Sequence, residues 1–177
     1  MENSRLFFAV NFSEELKEKI FNELAVEIPE KGFGKTSREN LHITLVFLGF
    51  FPKEKIPGLR EKAMQLKNFK GFEAELCEIR HFKGRILWLG IGKGSEEVKL
   101  LAKKLCEAIG IDEENFHAHV TLARNKSATK KEFDAVLEKL GAKNFSEKIA
   151  VKSLELMESK LSPKGSIYKK VFSVELG

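Results

Sequence analysis

Residues 6–12 are apolar at nearly every position, a pattern that predicts a strand buried on both faces. Ser13 then reads as an N-cap, with Glu14 and Glu15 in the first turn and Leu16, Ile20 and Leu24 along one helical face. Residues 41–49 predict a second strand, followed by a helix led by Pro57 with Leu59, Ala63 and Leu66 on one side. Phe72, Ala74 and Leu76 alternate as a strand does. The cycle restarts with a strand over residues 85–92. Ser95 is read as the next N-cap, ahead of Glu96, Glu97 and a helix carrying Val98, Leu101, Leu105, Ala108 and Ile109, with Gly110 at its end. Residues 117–123 predict a further strand, and Thr129 with Glu132 forms a capping box that opens a helix closed by Gly141. Two strands over residues 148–158 and 168–176 complete the chain, joined by the turn Ser162-Pro163-Lys164-Gly165-Ser166.

Corresponding elements recur at an offset of roughly 75 to 80 residues, as Ser13 with Ser95 and His42 with His119 show. This predicts an α+β fold made of a duplicated β-α-β-α-β unit. Each copy is too small to bury both faces of its sheet alone, so the copies should pack sheet to sheet or share a concave sheet about a pseudo-twofold axis. A chain of 177 residues then forms a single two-lobed domain over residues 1–177, with approximate lobes 1–80 and 81–177.

The duplication matters because of what it repeats. His42-Ile43-Thr44-Leu45 returns in kind as His119-Val120-Thr121-Leu122, whereas composition alone gives about 0.09 His-x-Thr pairs in a chain with four His and four Thr. Side chains two apart on a strand share a face, so each His stands beside its Thr while the apolar residues between them point into the core. Neutral imidazole accepts a proton and imidazolium donates one, so His42 and His119 across one cleft form an acid and base pair. Thr44 and Thr121 can donate hydrogen bonds to the two non-bridging oxygens of a phosphodiester. Arg124 offers a forked, permanently charged contact for phosphate; strict alternation would turn it to the wrong face, so the strand must end or bend there.

Other uses of these residues are weaker. A metal site wants three or more converging ligands and the motif segments carry no Asp or Glu, although His117 and His119 form a His-x-His pair. No metal and no cofactor is expected. His81 is read as closing the end of a strand. Gly90-Ile91-Gly92-Lys93-Gly94-Ser95 lacks the third glycine of a dinucleotide fingerprint and contains no Walker Gly-Lys-Ser/Thr, so it reads as a glycine-rich turn. Cys77 and Cys106 have no paired spacing and read as small core residues. A net charge of +5 and a pI near 9.1 favour polyanionic partners, and fifteen Phe against one Trp and one Tyr favour core filling. With no apolar run near membrane length and no signal segment, a cytoplasmic monomer with no membrane contact is expected.

At these residues the chain resembles the two-histidine (2H) phosphoesterase superfamily, specifically the RNA 2′,3′-cyclic phosphodiesterases also described as 2′-5′ RNA ligases. The likeness runs the full length. It is carried by Arg5-Leu6-Phe7-Phe8-Ala9-Val10, by residues 40–49 and 116–124 around the two motifs, by Leu87-Trp88-Leu89-Gly90, and by Glu158-Ser159-Lys160-Leu161 before Gly165-Ser166-x-Tyr168. The resemblance implies duplicated lobes with pseudo-twofold symmetry, antiparallel-rich sheets forming a central cleft, and helices outside. It implies that His42 and His119 are catalytic and that Thr44, Thr121 and Arg124 bind phosphate. The implied reaction is metal-independent hydrolysis of an RNA terminal 2′,3′-cyclic phosphate to a 2′-phosphate, with reversible 2′-5′ ligation through the same site. RNA ends, tRNA fragments among them, would be the partners. A non-catalytic RNA-binding protein and a phosphodiesterase for a small cyclic nucleotide are the alternatives. Two departures stand out: Ala118 replaces a frequent Pro, and Phe33 occupies the place of an aromatic that is often Trp.

Overall fold

A computed structural model of the chain describes residues 2–112, 116–163 and 165–177. The first apolar run becomes β1 (Asn3–Asn11), and its two faces have different fates. Leu6, Phe8 and Val10 enter the main core, whereas Phe7 and Ala9 join a small second cluster with Met157 and Tyr168 on the other side of the sheet. Helix α1 (Glu14–Glu23) starts where the Ser13 hydroxyl accepts from the Leu16 N–H at 3.3 Å, and buries Ile20. Strands β2 (Phe33–Lys35) and β3 (His42–Pro52) follow, then α2 (Ile56–Ala63) and β4 (Phe72–Phe82). The second round is β5 (Ile86–Ile91), α3 (Ser95–Ile109), β6 (Val120–Asn125) and α4 (Lys130–Gly141), and the chain ends with β7 (Ser146–Val151), β8 (Ser153–Ser162) and β9 (Gly165–Glu175).

The nine strands found among the described residues form one sheet in the order β7-β4-β5-β6-β3-β1-β8-β9, with β2 pairing on β6, and each pairing is antiparallel. The sheet curls into a half-barrel, an α+β arrangement in which helices bury one face and leave the other open as a cleft. At its centre β3 and β6 meet through a single pair, Ile43 with Val120. β4 therefore lies in the half that holds β6, while the final hairpin β8-β9 returns to pair with β1 beside β3.

Several boundaries differ from the sequence reading, each for a physical reason. Gly94, not Ser95, is the N-cap of α3: its φ is +85°, and a Cβ there would lie 2.5 Å from the Glu73 carbonyl oxygen and 2.7 Å from Ala74. The strand expected from residue 117 begins at Val120, because His117, Ala118 and His119 precede the point where β6 meets its partners. The strand expected over residues 148–158 is two, because β7 pairs with β4 whereas β8 pairs with β1 at the opposite end of the sheet. β9 opens three residues earlier than expected, and Lys164 of the preceding turn lies outside the described residues. The short strand β2 carries no pattern long enough to announce it. The capping box of α4 forms, with the Thr129 N–H donating to the Glu132 carboxylate at 2.7 Å and the Thr129 hydroxyl accepting from the Glu132 N–H at 3.3 Å. No helix among the described residues is long and apolar enough to cross a membrane.

Candidate active site

The pairing of Ile43 with Val120 determines the site. Continued one residue to either side, that antiparallel register turns His42 toward Thr121 and Thr44 toward His119, so the two motifs meet at the seam. Ile43, Leu45, Val120 and Leu122 are buried in the core, so the four polar side chains share the opposite, open face. The structure thereby brings the two expected His-Thr pairs together in one cleft.

Backbone carbonyls hold both rings in the same way. His42 Nδ1 lies 2.6 Å from the Asn40 carbonyl oxygen, and His119 Nδ1 lies 2.7 Å from the His117 carbonyl oxygen. A carbonyl only accepts, so each Nδ1 carries the hydrogen and each Nε2 presents a lone pair. At His42 that lone pair accepts from the Thr44 hydroxyl at 2.8 Å. Asn40 is itself anchored by its side-chain amide, which donates to the Ser166 carbonyl at 2.6 Å, so the final hairpin braces the first histidine.

Aromatic rings enclose each imidazole. Phe7 lies 5.0 Å and Tyr168 5.4 Å from the His42 ring, and Phe82 and Trp88 lie 5.1 and 5.7 Å from the His119 ring. Burial therefore pushes the His42 pKa down to about 4; the bond to Asn40 opposes this, and the positive charges of His119 and Lys17 add to it. Burial also lowers His119, opposed by the bond to the His117 carbonyl and reinforced by the charges of His117 and Arg124.

A β-bulge resolves the position of Arg124. On β6, Ala123 pairs with Leu87 and Thr121 with Trp88, leaving Leu122 as an extra residue. Leu122 and Ala123 both turn inward, and Arg124 returns to the face of Thr121, where its charge reaches His119. The strand bends there, as the sequence required. β3 does the same at Leu45, since Phe8 pairs with Val46 and Ala9 with Thr44.

Other expectations fall outside the site. Phe33 is 4% exposed and stacks on Phe133, so its ring is a core residue with no face for a ligand. His81 closes the β4-β5 turn, its Nδ1 accepting from the Gly84 N–H at 3.1 Å. Cys106 is buried and Cys77 partly exposed. His117 is exposed, with its ring against Phe82 and Trp88. Among the described residues no three His, Cys, Asp or Glu side chains are grouped to hold a metal ion. Sequence reasoning missed Asn40, Phe7 and Lys17 as parts of the site. Lys17 is 8% exposed and donates to the Glu39 carbonyl, a contact 22 residues distant that no local pattern reveals.

Known proteins share sequence and fold with this chain. The family model of the 2′-5′ RNA ligase superfamily matches residues 12–162. An RNA 2′,3′-cyclic phosphodiesterase of Archaeoglobus fulgidus is 30% identical over 172 residues, covering 93% of this chain and 96% of the relative. One of Thermotoga maritima is 29% identical over 181 residues, covering 97% and 95%. The apo crystal structure of Escherichia coli LigT superposes with a TM-score of 0.80 at 25% identity over 99% of both chains. The chain belongs to the 2′-5′ RNA ligase superfamily, within the two-histidine phosphoesterases to which its repeated motifs pointed.

Proposed function

We propose that this protein hydrolyses the 2′,3′-cyclic phosphate at an RNA 3′ end to a 2′-phosphate, with His42 and His119 as paired acid and base. The observation that carries the reading is the register at Ile43 and Val120, which opposes a His to a Thr twice across one open cleft. One neutral imidazole takes a proton from water through Nε2, and the water oxygen attacks phosphorus. The P–O3′ bond breaks, and O3′ takes its proton from Nε2 of the other histidine, which enters the step as imidazolium and leaves it neutral while the first ring ends protonated. Thr44 and Thr121 donate to the non-bridging oxygens, and Arg124 binds the same phosphate, balancing charge that gathers in the transition state.

The chemistry needs no metal, since proton transfer and charge stabilisation both come from side chains on the cleft face. No nucleotide cofactor is needed either, because the strained cyclic ester already holds the bond energy. A 5′-hydroxyl in place of water gives a 2′-5′ linkage through the same steps, a slower course because ordered RNA ends are scarcer than water. Relatives named RNA 2′,3′-cyclic phosphodiesterase, about 30% identical over nearly the whole chain, support the hydrolytic activity. We place the enzyme in the cytoplasm as a monomer acting on RNA ends such as tRNA fragments.

The test is turnover of an oligonucleotide ending in 2′,3′-cyclic phosphate, with the new terminus identified by phosphorus NMR and with EDTA present in a parallel reaction. The protein should release a 2′-phosphate with or without chelator. His42→Ala and His119→Ala should each lower kcat by roughly 10²- to 10⁴-fold, and the double variant should fall little further, because acid and base act as one unit. Full inhibition by EDTA, or turnover that survives both single replacements, would overturn the reading.

A further inference from the structure

The open face of the sheet continues past the four motif side chains. Along β1 the side chains alternate: Leu6, Phe8 and Val10 enter the main core, so Arg5, Phe7 and Ala9 stand on the cleft face. Ala9 pairs with Thr44, and Arg5 lies four positions further from the seam, about 13 Å away at the usual rise of a strand. At that level one row of paired residues crosses the sheet: Phe50 of β3 with Arg5, Arg5 with Ser159 of β8, and Ser159 with Tyr168 of β9. Tyr168 leans back toward the seam, its ring 4.8 Å from Phe7 and 5.4 Å from His42. The row therefore borders the candidate active site.

Two neighbours in this row have no work in the fold. Phe50 is 78% exposed, the most exposed large apolar side chain among the described residues. Arg5 is also exposed, and among the described residues its guanidinium makes no hydrogen bond or ion pair, whereas Arg80 is held by Glu78. A single exposed Phe is common on a protein surface, and so is a single free Arg. On directly paired strand positions, facing the same way, they are a ring and a forked cation side by side. Single-stranded nucleic acid is bound by that combination, its bases stacking on aromatic faces and its phosphates on guanidinium groups.

Resting on the hydrolytic reading above, we infer that Arg5 and Phe50 form a subsite for the nucleotide that precedes the cyclic end of the RNA, Arg5 binding its linking phosphate and Phe50 stacking its base. The spacing fits this occupant. A cyclic phosphate on Thr44 lies at the level of Ala9, and the separation of about 13 Å from there to Arg5 is the step to the next phosphate plus the length of an arginine side chain. That next phosphate is a diester with one negative charge, which a single guanidinium neutralises. The subsite adds affinity without touching the reacting atoms, and it makes RNA ends better substrates than free cyclic mononucleotides.

The experiment measures kcat and KM for the wild-type chain, Arg5→Ala, Arg5→Lys, Phe50→Ala and Phe50→Trp on adenosine 2′,3′-cyclic phosphate, on the adenylate dinucleotide with the same cyclic end, and on a longer oligoadenylate. The wild type should prefer the dinucleotide to the mononucleotide roughly ten- to hundredfold in kcat/KM, chiefly through KM, and the longer chain should gain little more. Phe50→Ala and Arg5→Ala should each remove most of that preference and leave mononucleotide turnover unchanged, which also serves as the control for folding. Phe50→Trp and Arg5→Lys should retain a preference. Arg5→Ala should in addition reduce the salt slope of the dinucleotide by about 0.7, to that of the mononucleotide. A wild type that turns over the two substrates equally well, or alanine variants that lose both activities alike, overturns the inference while leaving the hydrolytic reading intact. A wild-type chain that hydrolyses no cyclic phosphate of any length overturns the hydrolytic reading itself.

Discussion

His42 and His119 each leave one ring nitrogen free for chemistry, because the backbone has claimed the other. The carbonyls of Asn40 and His117 fix Nδ1–H, and burial lowers both pKa values, to about 4 for His42. Both rings are therefore mostly neutral in the empty cleft at pH 7, although the mechanism needs one imidazolium. The singly protonated form peaks between the two lowered values, so kcat/KM should be highest on the acid side of the ordinary histidine value near 6.5 and decline above it. A profile rising steadily to pH 9 would contradict these shifts. The same shift bears on folding. Because the folded pKa of His42 lies below the unfolded one, the unfolded chain binds more protons between pH 6.5 and about 4, and stability is lost as pH falls through that window. The loss is at most about 3 kcal/mol from His42, so urea midpoints at pH 7 and pH 4.5 should differ less for His42→Gln than for the wild type. Equal losses would show that the ring titrates normally. At this scale the His and Thr pairs were legible because strand period alone puts them on one face. Asn40, Phe7 and Lys17 were not, because each acts through a partner that only the folded chain supplies.

At the scale of elements, the device that completes the site is the bulge. A regular β6 would have turned Arg124 into the core, where an unpaired guanidinium is costly, and the extra residue Leu122 prevents this. Sequence alternation exposes the conflict but not its solution, because a bulge is visible only against the partner strand. The same holds for α3. Its apolar periodicity and first-turn acids were legible, yet the cap was read at Ser95, one residue late. The deciding fact is the backbone of β4, close enough to forbid any Cβ. Gly94→Ala should therefore combine a strained positive φ with a clash against Glu73 and Ala74, and destabilise the protein by about 2 kcal/mol or more. Thermal unfolding measures it: a drop in Tm of several degrees is expected, and an unchanged Tm would mean that β4 yields easily.

The whole molecule is a sheet whose central seam carries the candidate active site. The repeat spacing made the duplication legible. The return of β8 and β9 to β1 was not, because pairing across some 150 residues leaves no local pattern in the sequence. The net charge of +5 suggests a broad electrostatic footprint for a polyanion. The structure argues for a narrow one, because many cations are already paired on the surface, as Lys19 with Glu147, Lys139 and Lys143 with Glu27, Lys130 with Asp134, and Lys170 with Glu155. On the cleft face Arg80 is likewise held by Glu78, whereas Arg124 stands beside His119. Each phosphate of a single strand that is neutralised adds about 0.7 to the slope of log affinity against log salt. An oligonucleotide held at its terminal phosphate and at most one more should therefore show a slope between about −0.7 and −1.4 in log(kcat/KM) against log[KCl]. A cyclic mononucleotide, which presents only the terminal phosphate, should show the shallower value. Slopes that coincide would mean that recognition ends at the cyclic ester, and a slope near −4 would mean that basic surface far beyond the cleft takes part.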